Sequence, residues 1–276
     1  MQGVPFKLSY LQQARQAYRQ FIERNPPAHH ARYIFPFFAG SYFVYRKVDV
    51  MRVVAIAKAV NNSDRPSYLD IGCSYGDFLS KIREHLPHAA GIEKEGGIFC
   101  AQQEAKPDYI QVQDVESLAK PVDVAFVGWM EPGTDFRRHV ARIAKCVVTT
   151  FDAGGQCGIN GGCEYDEFGY EQVAWWRTPS WIDVNAELMN RYYTPTLSED
   201  KKQQLGKLRG AHNFWYVYAK PEIAGKVKEE LESQLAREKD AGGYDFEGVL
   251  DELGYHYKED LPGLTRAKKL WEVMLG

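Results

Sequence analysis

The chain of 276 residues has no excess of charge of either sign. Its 34 basic and 37 acidic residues leave a formal net charge of -3. No global positive field exists to gather nucleic acid, although a local patch is left open. There is no C-x-x-C pair, and the five cysteines (Cys73, Cys100, Cys146, Cys157, Cys163) are an odd set. That argues against a disulfide framework and for free thiols in a reducing compartment. The start of the sequence lacks the basic-then-apolar pattern of a signal peptide. Long apolar runs are missing too. The most apolar stretch, 33–45, contains Pro36 and falls short of the ~20 residues that a spanning helix needs. Internal repeats and low-complexity tracts are also absent. The expectation is a cytoplasmic globular protein without membrane insertion, long enough to bury a sizeable core.

What is present is a regular alternation. Residues 7–24 read as a polar-rich helix ending near Asn25-Pro26-Pro27, and a second helix starts near Ser41. Val50, Val53, Val54, Ala57 and Val60 share one face at a 3.6-residue period. Strands are expected at 67–71, 89–93, 108–112, 122–128 and 146–151, with helices near 76–86, 97–104 and 135–144. This rhythm predicts a doubly wound α/β fold, a mostly parallel sheet with helices on both faces. Ligands in such sheets bind outside the carboxyl ends of the strands.

After residue 151 the pattern changes. Residues 153–163 hold five glycines in eleven positions, which predicts a mobile loop. Glu171 to Trp176 and Asn213 to Ala219 read as two more strands. Between them, helices are expected around 183–191 and 198–208. From Pro221 the chain is charged and helical, with an apolar stripe through Leu250, Leu253, Leu270, Val273 and Leu275. The organisation expected is a helical cap over 1–62, a core domain over 63–220 with an insertion at about 153–210, and a helical extension over 221–276.

The segment Tyr68-Leu69-Asp70-Ile71-Gly72-Cys73-Ser74-Tyr75-Gly76-Asp77-Phe78-Leu79 is the most informative one. A short strand breaks on small residues and opens into a helix, which presents backbone N–H groups to a ligand. Read as G-x-S-x-G, it is a nucleophile elbow with Ser74 as a serine-hydrolase nucleophile, and Asp152 and His212 as its partners. Against that, it follows the first strand, lacks an HGG-type segment upstream, and leaves Asp70 without a role. Read as G-x-G-x-x-G, it fails at Ser74 and Asp77.

The run Asp70-Ile71-Gly72-Cys73-Ser74-Tyr75-Gly76 resembles motif I of class I S-adenosylmethionine-dependent methyltransferases, D-x-G-x-G-x-G, with Ser74 in place of the middle glycine. The resemblance implies a seven-stranded sheet ending in an antiparallel hairpin, and S-adenosylmethionine as cofactor. It implies that the backbone of Gly72, Cys73, Ser74 and Gly76 passes beneath the cofactor. Asp70 is implied to hold the turn or the ligand's amino group. Glu93, ending strand two 23 residues after Asp70, is implied to accept from the ribose hydroxyls. Asp114, ending strand three, would accept from the adenine amine, with the Val115 N–H nearby. Trp129, ending strand four, completes the implied cofactor set. The resemblance is specific over 67–151 and weaker to 219.

Where amino-methylating relatives carry (D/N)-P-P-(Y/F), this chain has Met130-Glu131-Pro132-Gly133. That leaves the acceptor atom open. A small or medium organic acceptor is expected, with an RNA or protein acceptor as the alternative. Outside enzymes, the alternative is a non-catalytic S-adenosylmethionine-binding protein. Asp152, after strand five, and His212, before the last strand, are the candidate bases. Trp175, Trp176 and Tyr193 are candidate acceptor contacts; in a strand, Trp175 and Trp176 face opposite sides. No ligand spacing supports a metal site, and a homo-oligomer is compatible with the sequence.

Overall fold

The computed structural model describes residues 20, 45, 47–61, 65–74, 76–94, 106–131, 133–152 (Asp152 for its backbone only), 157–159, 162–178, 199, 213–238 and 273–276. Helix α1 is Lys47–Asn61, followed by β1 Tyr68–Ile71, α2 Asp77–Arg83, β2 Ala90–Glu93 and β3 Ile110–Val112. A 3-10 turn at Val115–Ser117 leads to β4 Val122–Gly128, α3 Arg137–Ile143 and β5 Ala144–Asp152. Then come β6 Glu171–Thr178, β7 Asn213–Ala219, α4 Pro221–Glu238 and β8 Met274–Leu275.

The strands form one sheet in the order β3-β2-β1-β4-β5-β7-β6-β8. Strands β1 to β5 are mutually parallel, and β7 runs antiparallel between β5 and β6. All four residues of β1 are buried, as expected of a parallel strand covered on both faces. The chain leaves β1 for β2 and β3 on one side, then returns to β4 on the other. The crevice of such a sheet lies at this reversal, outside the carboxyl ends of β1 and β4.

The expected strands and the doubly wound class hold, with ends shifted by at most two residues. The strand count does not. There are eight strands among the described residues, because Met274 and Leu275 pair with Trp175 and Ala174 at the edge of β6. The C-terminal stripe placed Leu275 on a helix. A two-residue strand has no period for a sequence pattern to show, and its register is fixed by the β6 backbone. Gly276 closes it: its N–H donates to the Val173 carbonyl at 2.8 Å, and a Cβ there would lie 2.2 Å from the Gln172 oxygen. The helices expected at 97–104, 183–191 and 198–208 lie outside the described residues.

One sheet face carries Phe126, Val148, Val217, Trp215 and Trp176 beneath α1, α2 and α4. The valine face of α1 is buried there as the period predicts. Arg52 of α1 donates to Glu238 of α4 at 2.6 Å and to Asp49 at 3.3 Å, so this buried cation is paired. The other face carries Val127, Val147, Tyr218 and Tyr165 beneath α3.

Candidate active site

The β1–α2 turn is held by strand β2. The Gly72 and Cys73 N–H groups both donate to the Ile92 carbonyl, at 2.9 and 3.1 Å. The Ser74 N–H donates to Glu93 Oε2 at 2.9 Å, and the Lys94 N–H donates to Glu93 Oε1 at 3.0 Å. The carboxylate that ends β2 is thereby a staple under the turn that ends β1.

Backbone conformation explains the small residues. Gly72, Ser74 and Gly76 all have positive φ, at 68°, 51° and 76°. At Gly72 a Cβ would meet nothing within 4 Å, so the space beside it is open. At Gly76 a Cβ would lie 2.7 Å from Ile110 Cδ1. Gly76 thus makes room for β3, not for an open site, which the motif alone does not reveal. Gly91 has the same kind of role: a Cβ there would lie 2.6 Å from Leu79 and 2.7 Å from Cys73 Sγ.

Acid gathers at this turn. Asp70 is buried, and burial first, then the neighbouring Asp77 and Glu93, push its carboxyl well above the usual range. The Cys73 thiol is pushed up by burial and by the Asp70 and Glu93 carboxylates. The Ser74 hydroxyl is buried and has no hydrogen-bond partner among the described residues. No described histidine reaches it, so the described residues form no hydrolase triad; His212, its nominated partner, lies outside them.

Asp114 sits beyond β3 and caps the 3-10 turn, accepting from the Glu116 N–H at 2.9 Å. That hydrogen bond, with the Lys94 ammonium at 3.3 Å, holds its carboxyl below the usual range. Val115 is buried as the first residue of the turn.

Trp129 follows β4 with φ 58°, rare for a side chain of this bulk. Two hydrogen bonds hold it there: its N–H donates to the Thr150 carbonyl at 2.9 Å, and its indole Nε1 donates to Asn213 Oδ1 at 3.2 Å. The backbone of Asp152 pairs with Asn213 at the end of β5. Asp152's side chain, His212 and Tyr193 lie outside the described residues. Trp176 is fully buried and stacks on Trp215 at 5.3 Å, whereas half-buried Trp175 lies on the opposite face against Phe214 at 6.1 Å. Core and edge tryptophan therefore divide as the strand period requires.

The described part of the glycine-rich segment is anchored. The Gly158 N–H donates to the Met130 carbonyl at 3.1 Å, and the Gly133 N–H to the Gly158 carbonyl at 2.9 Å. Cys157 and Cys163 are buried with Phe151. Their thiols are hydrogen-bonded, which together with burial pushes the Cys163 thiol up. A lid movement of the whole segment would have to break these contacts.

No family model matches the chain, and no curated protein does. Among solved structures it is similar to the YcgJ protein from Bacillus subtilis, at 14% identity and TM-score 0.41, over 63% of this chain and 97% of that one. It is similar to the N-methyltransferase NodS from Bradyrhizobium japonicum bound to S-adenosyl-L-homocysteine, at 11% and 0.39, over 76% and 99%. A third is the plantazolicin methyltransferase BpumL in complex with SAH, at 12% and 0.36, over 77% and 96%. At these values the likenesses carry no weight for the site. The fold is read from the sheet itself: doubly wound, parallel through β5, closed by the antiparallel β7, it is the fold of the class I methyltransferases.

Proposed function

We propose that the chain is an S-adenosylmethionine-dependent methyltransferase acting on a small or medium organic acceptor. The observation that carries this reading is the stapled turn: Glu93 accepts from the Ser74 N–H at the reversal of the sheet, beside the open space at Gly72. A second observation supports it. Asp70, Asp77 and Glu93 crowd acid into the turn, a setting that favours a cationic ligand. A carboxylate at the end of β2 suits a ribose diol, and the Ser74 hydroxyl has no partner among the described residues, which leaves it open to a ligand group. Gly72, Cys73, Asp114, Val115 and Trp129 belong to the same proposed cofactor set, Gly76 belongs to it through the turn that it closes onto the Cys73 carbonyl, and the limits at 62 and 220 remain the proposed domain boundaries.

The cofactor brings an activated methyl group on a sulfonium, and what is left to the protein is alignment and exclusion of water. Asp70 would hold the ammonium end and Glu93 the ribose. Asp152 would take the acceptor's proton, with His212 as the second choice. Trp175, Trp176 and Tyr193 remain the proposed acceptor contacts; Trp175 and Trp176 would act from opposite faces of β6, with Trp176 backed by Trp215.

Calorimetry with S-adenosylhomocysteine tests the cofactor half, and no binding heat refutes it. Asp152→Asn tests the base. It should bind S-adenosylhomocysteine as wild type and turn over at least ~100-fold slower; full activity would move the role to His212.

A further inference from the structure

Thr150 of β5 and Asn213 of β7 are both fully buried. The Thr150 hydroxyl and the Asn213 Nδ2 have no hydrogen-bond partner among the described residues. They share a sheet face, because Thr150 pairs with Trp215, and Asn213 lies two residues before it on the same strand. The orientation of the Asn213 amide is settled by chemistry. The Trp129 indole can only donate, so it must meet Asn213 Oδ1, which turns both Nδ2 protons elsewhere. On β4 the position beside Thr150 is Gly128, which puts no side chain on that flank. Thr178, opposite Asn213, already accepts from the Trp215 indole at 3.1 Å. The orphan Thr149 hydroxyl lies on the other face and is not part of this row.

Two donors without partners among the described residues therefore stand at the carboxyl end of the sheet, next to the residue that follows β4. Neither is charged, and their pairing register continues into Asp152. We infer that Thr150 and Asn213 anchor an oxygen of an uncharged organic methyl acceptor, a carbonyl, amide or hydroxyl group. The inference rests on the methyltransferase reading and adds the substrate class. A carboxylate would find no cation in this row, and an ammonium would face the Asn213 Nδ2 protons.

The test uses the full chain saturated with S-adenosylhomocysteine and the fragments benzamide, benzoate and benzylamine, with binding read by ligand-observed NMR. Benzamide should bind wild type in preference to both charged fragments. Thr150→Val should weaken benzamide binding roughly 3- to 10-fold, the scale of one neutral hydrogen bond. Asn213→Asp retains the oxygen that Trp129 needs but loses the donor, and should weaken it similarly. S-adenosylhomocysteine affinity should stay as in wild type. Thr150→Val should leave the melting temperature unchanged or higher, since it removes a buried hydroxyl with no partner among the described residues. The inference is overturned by equal benzamide binding in wild type and Thr150→Val, by preference for a charged fragment, or by no benzamide binding. A clear fall in the Thr150→Val melting temperature, which marks a structural partner, overturns it as well. Loss of S-adenosylhomocysteine binding in wild type would instead remove the methyltransferase reading, which is a separate result.

Discussion

Glu93 is the residue on which cofactor binding should depend most. Its two oxygens take the Ser74 and Lys94 N–H groups at 2.9 and 3.0 Å, so it shapes the turn, and it is the carboxylate proposed to meet the ribose diol. A hydrogen bond to a charged group contributes ~1.5–3 kcal/mol. Glu93→Ala removes the diol's partner and frees the turn. It should weaken S-adenosylhomocysteine binding by roughly 10- to 100-fold. Glu93→Gln separates the two roles. Its single carbonyl oxygen can keep Ser74 in place, but the amide NH2 cannot accept, so the loss should fall between wild type and alanine. Calorimetry on the three proteins measures the series, with circular dichroism to show that each is folded. Wild-type affinity in folded Glu93→Ala would refute the reasoning, and a Gln variant weaker than the Ala variant would show that the turn tolerates loss of the staple better than a misplaced donor.

Gly72→Ala and Gly76→Ala should part company. The first meets no atom within 4 Å and carries only the strain of φ 68°, so it should lose S-adenosylhomocysteine with a small change in melting temperature. The second drives a Cβ to 2.7 Å from Ile110 and should show the larger melting-temperature drop in calorimetric scans. Asp70, its carboxyl raised by burial and by Asp77 and Glu93, favours folding at low pH, and that contribution is lost as pH rises through its folded value. Asp70→Asn keeps the shape and removes the ionisable group, so it should weaken S-adenosylhomocysteine binding in calorimetry, and wild-type affinity in the folded variant would remove Asp70 from the ammonium site. Asp123 is the opposite case: burial raises its carboxyl, but bonds from Lys145, Ser67 and Asn61 outweigh it and hold the net value low. Asp123→Ala should cost roughly 2–3 kcal/mol at pH 7. The gap to wild type in denaturant unfolding should close as pH falls through the lowered folded value.

The parallel half of the fold was legible because its strands are short apolar runs bounded by turn residues, and its helices show one apolar face. Val50 to Val60 predicted the buried side of α1, and it is buried. The motif located the turn, because positive φ at three of its positions demands small residues. What the motif did not carry is how the turn is held. The bond between Ser74 N and Glu93 spans 19 residues, and no local pattern announces it. Asp123 was invisible for the same reason: it reads as one more acid at a strand start, yet its oxygens accept from Asn61 of α1, Ser67 just before β1 and Lys145 of β5. Thr150 and Asn213 looked like ordinary strand residues; only the antiparallel register between β5 and β7 puts them on one face. Sequence spacing reports periodicity within an element, whereas these contacts depend on register between elements.

The two ends of the sheet solve different problems. At the amino ends of β1, β4 and β5, Asp123 is met by the Ser67 N–H and hydroxyl at 2.9 and 2.8 Å, by Asn61 at 2.9 Å and by Lys145 at 2.8 Å. A buried carboxylate with that many partners ties the elements together and has little left for a ligand. At the carboxyl ends the pattern is reversed. Gly72, Ser74, Gly76 and Trp129 hold positive φ, and the Ser74 and Thr150 hydroxyls and the Asn213 Nδ2 lack partners among the described residues. The Tyr68 and Tyr165 hydroxyls are buried and unpartnered among the described residues as well, so missing partners alone do not mark the end. The combination does: backbone strain, unsatisfied donors and a raised carboxyl all fall where the strand reversal opens the crevice. A chain selected for stability alone would relax each of these separately. Their concentration at one end is the physical argument that binding occurs there, and it stands without reference to any relative.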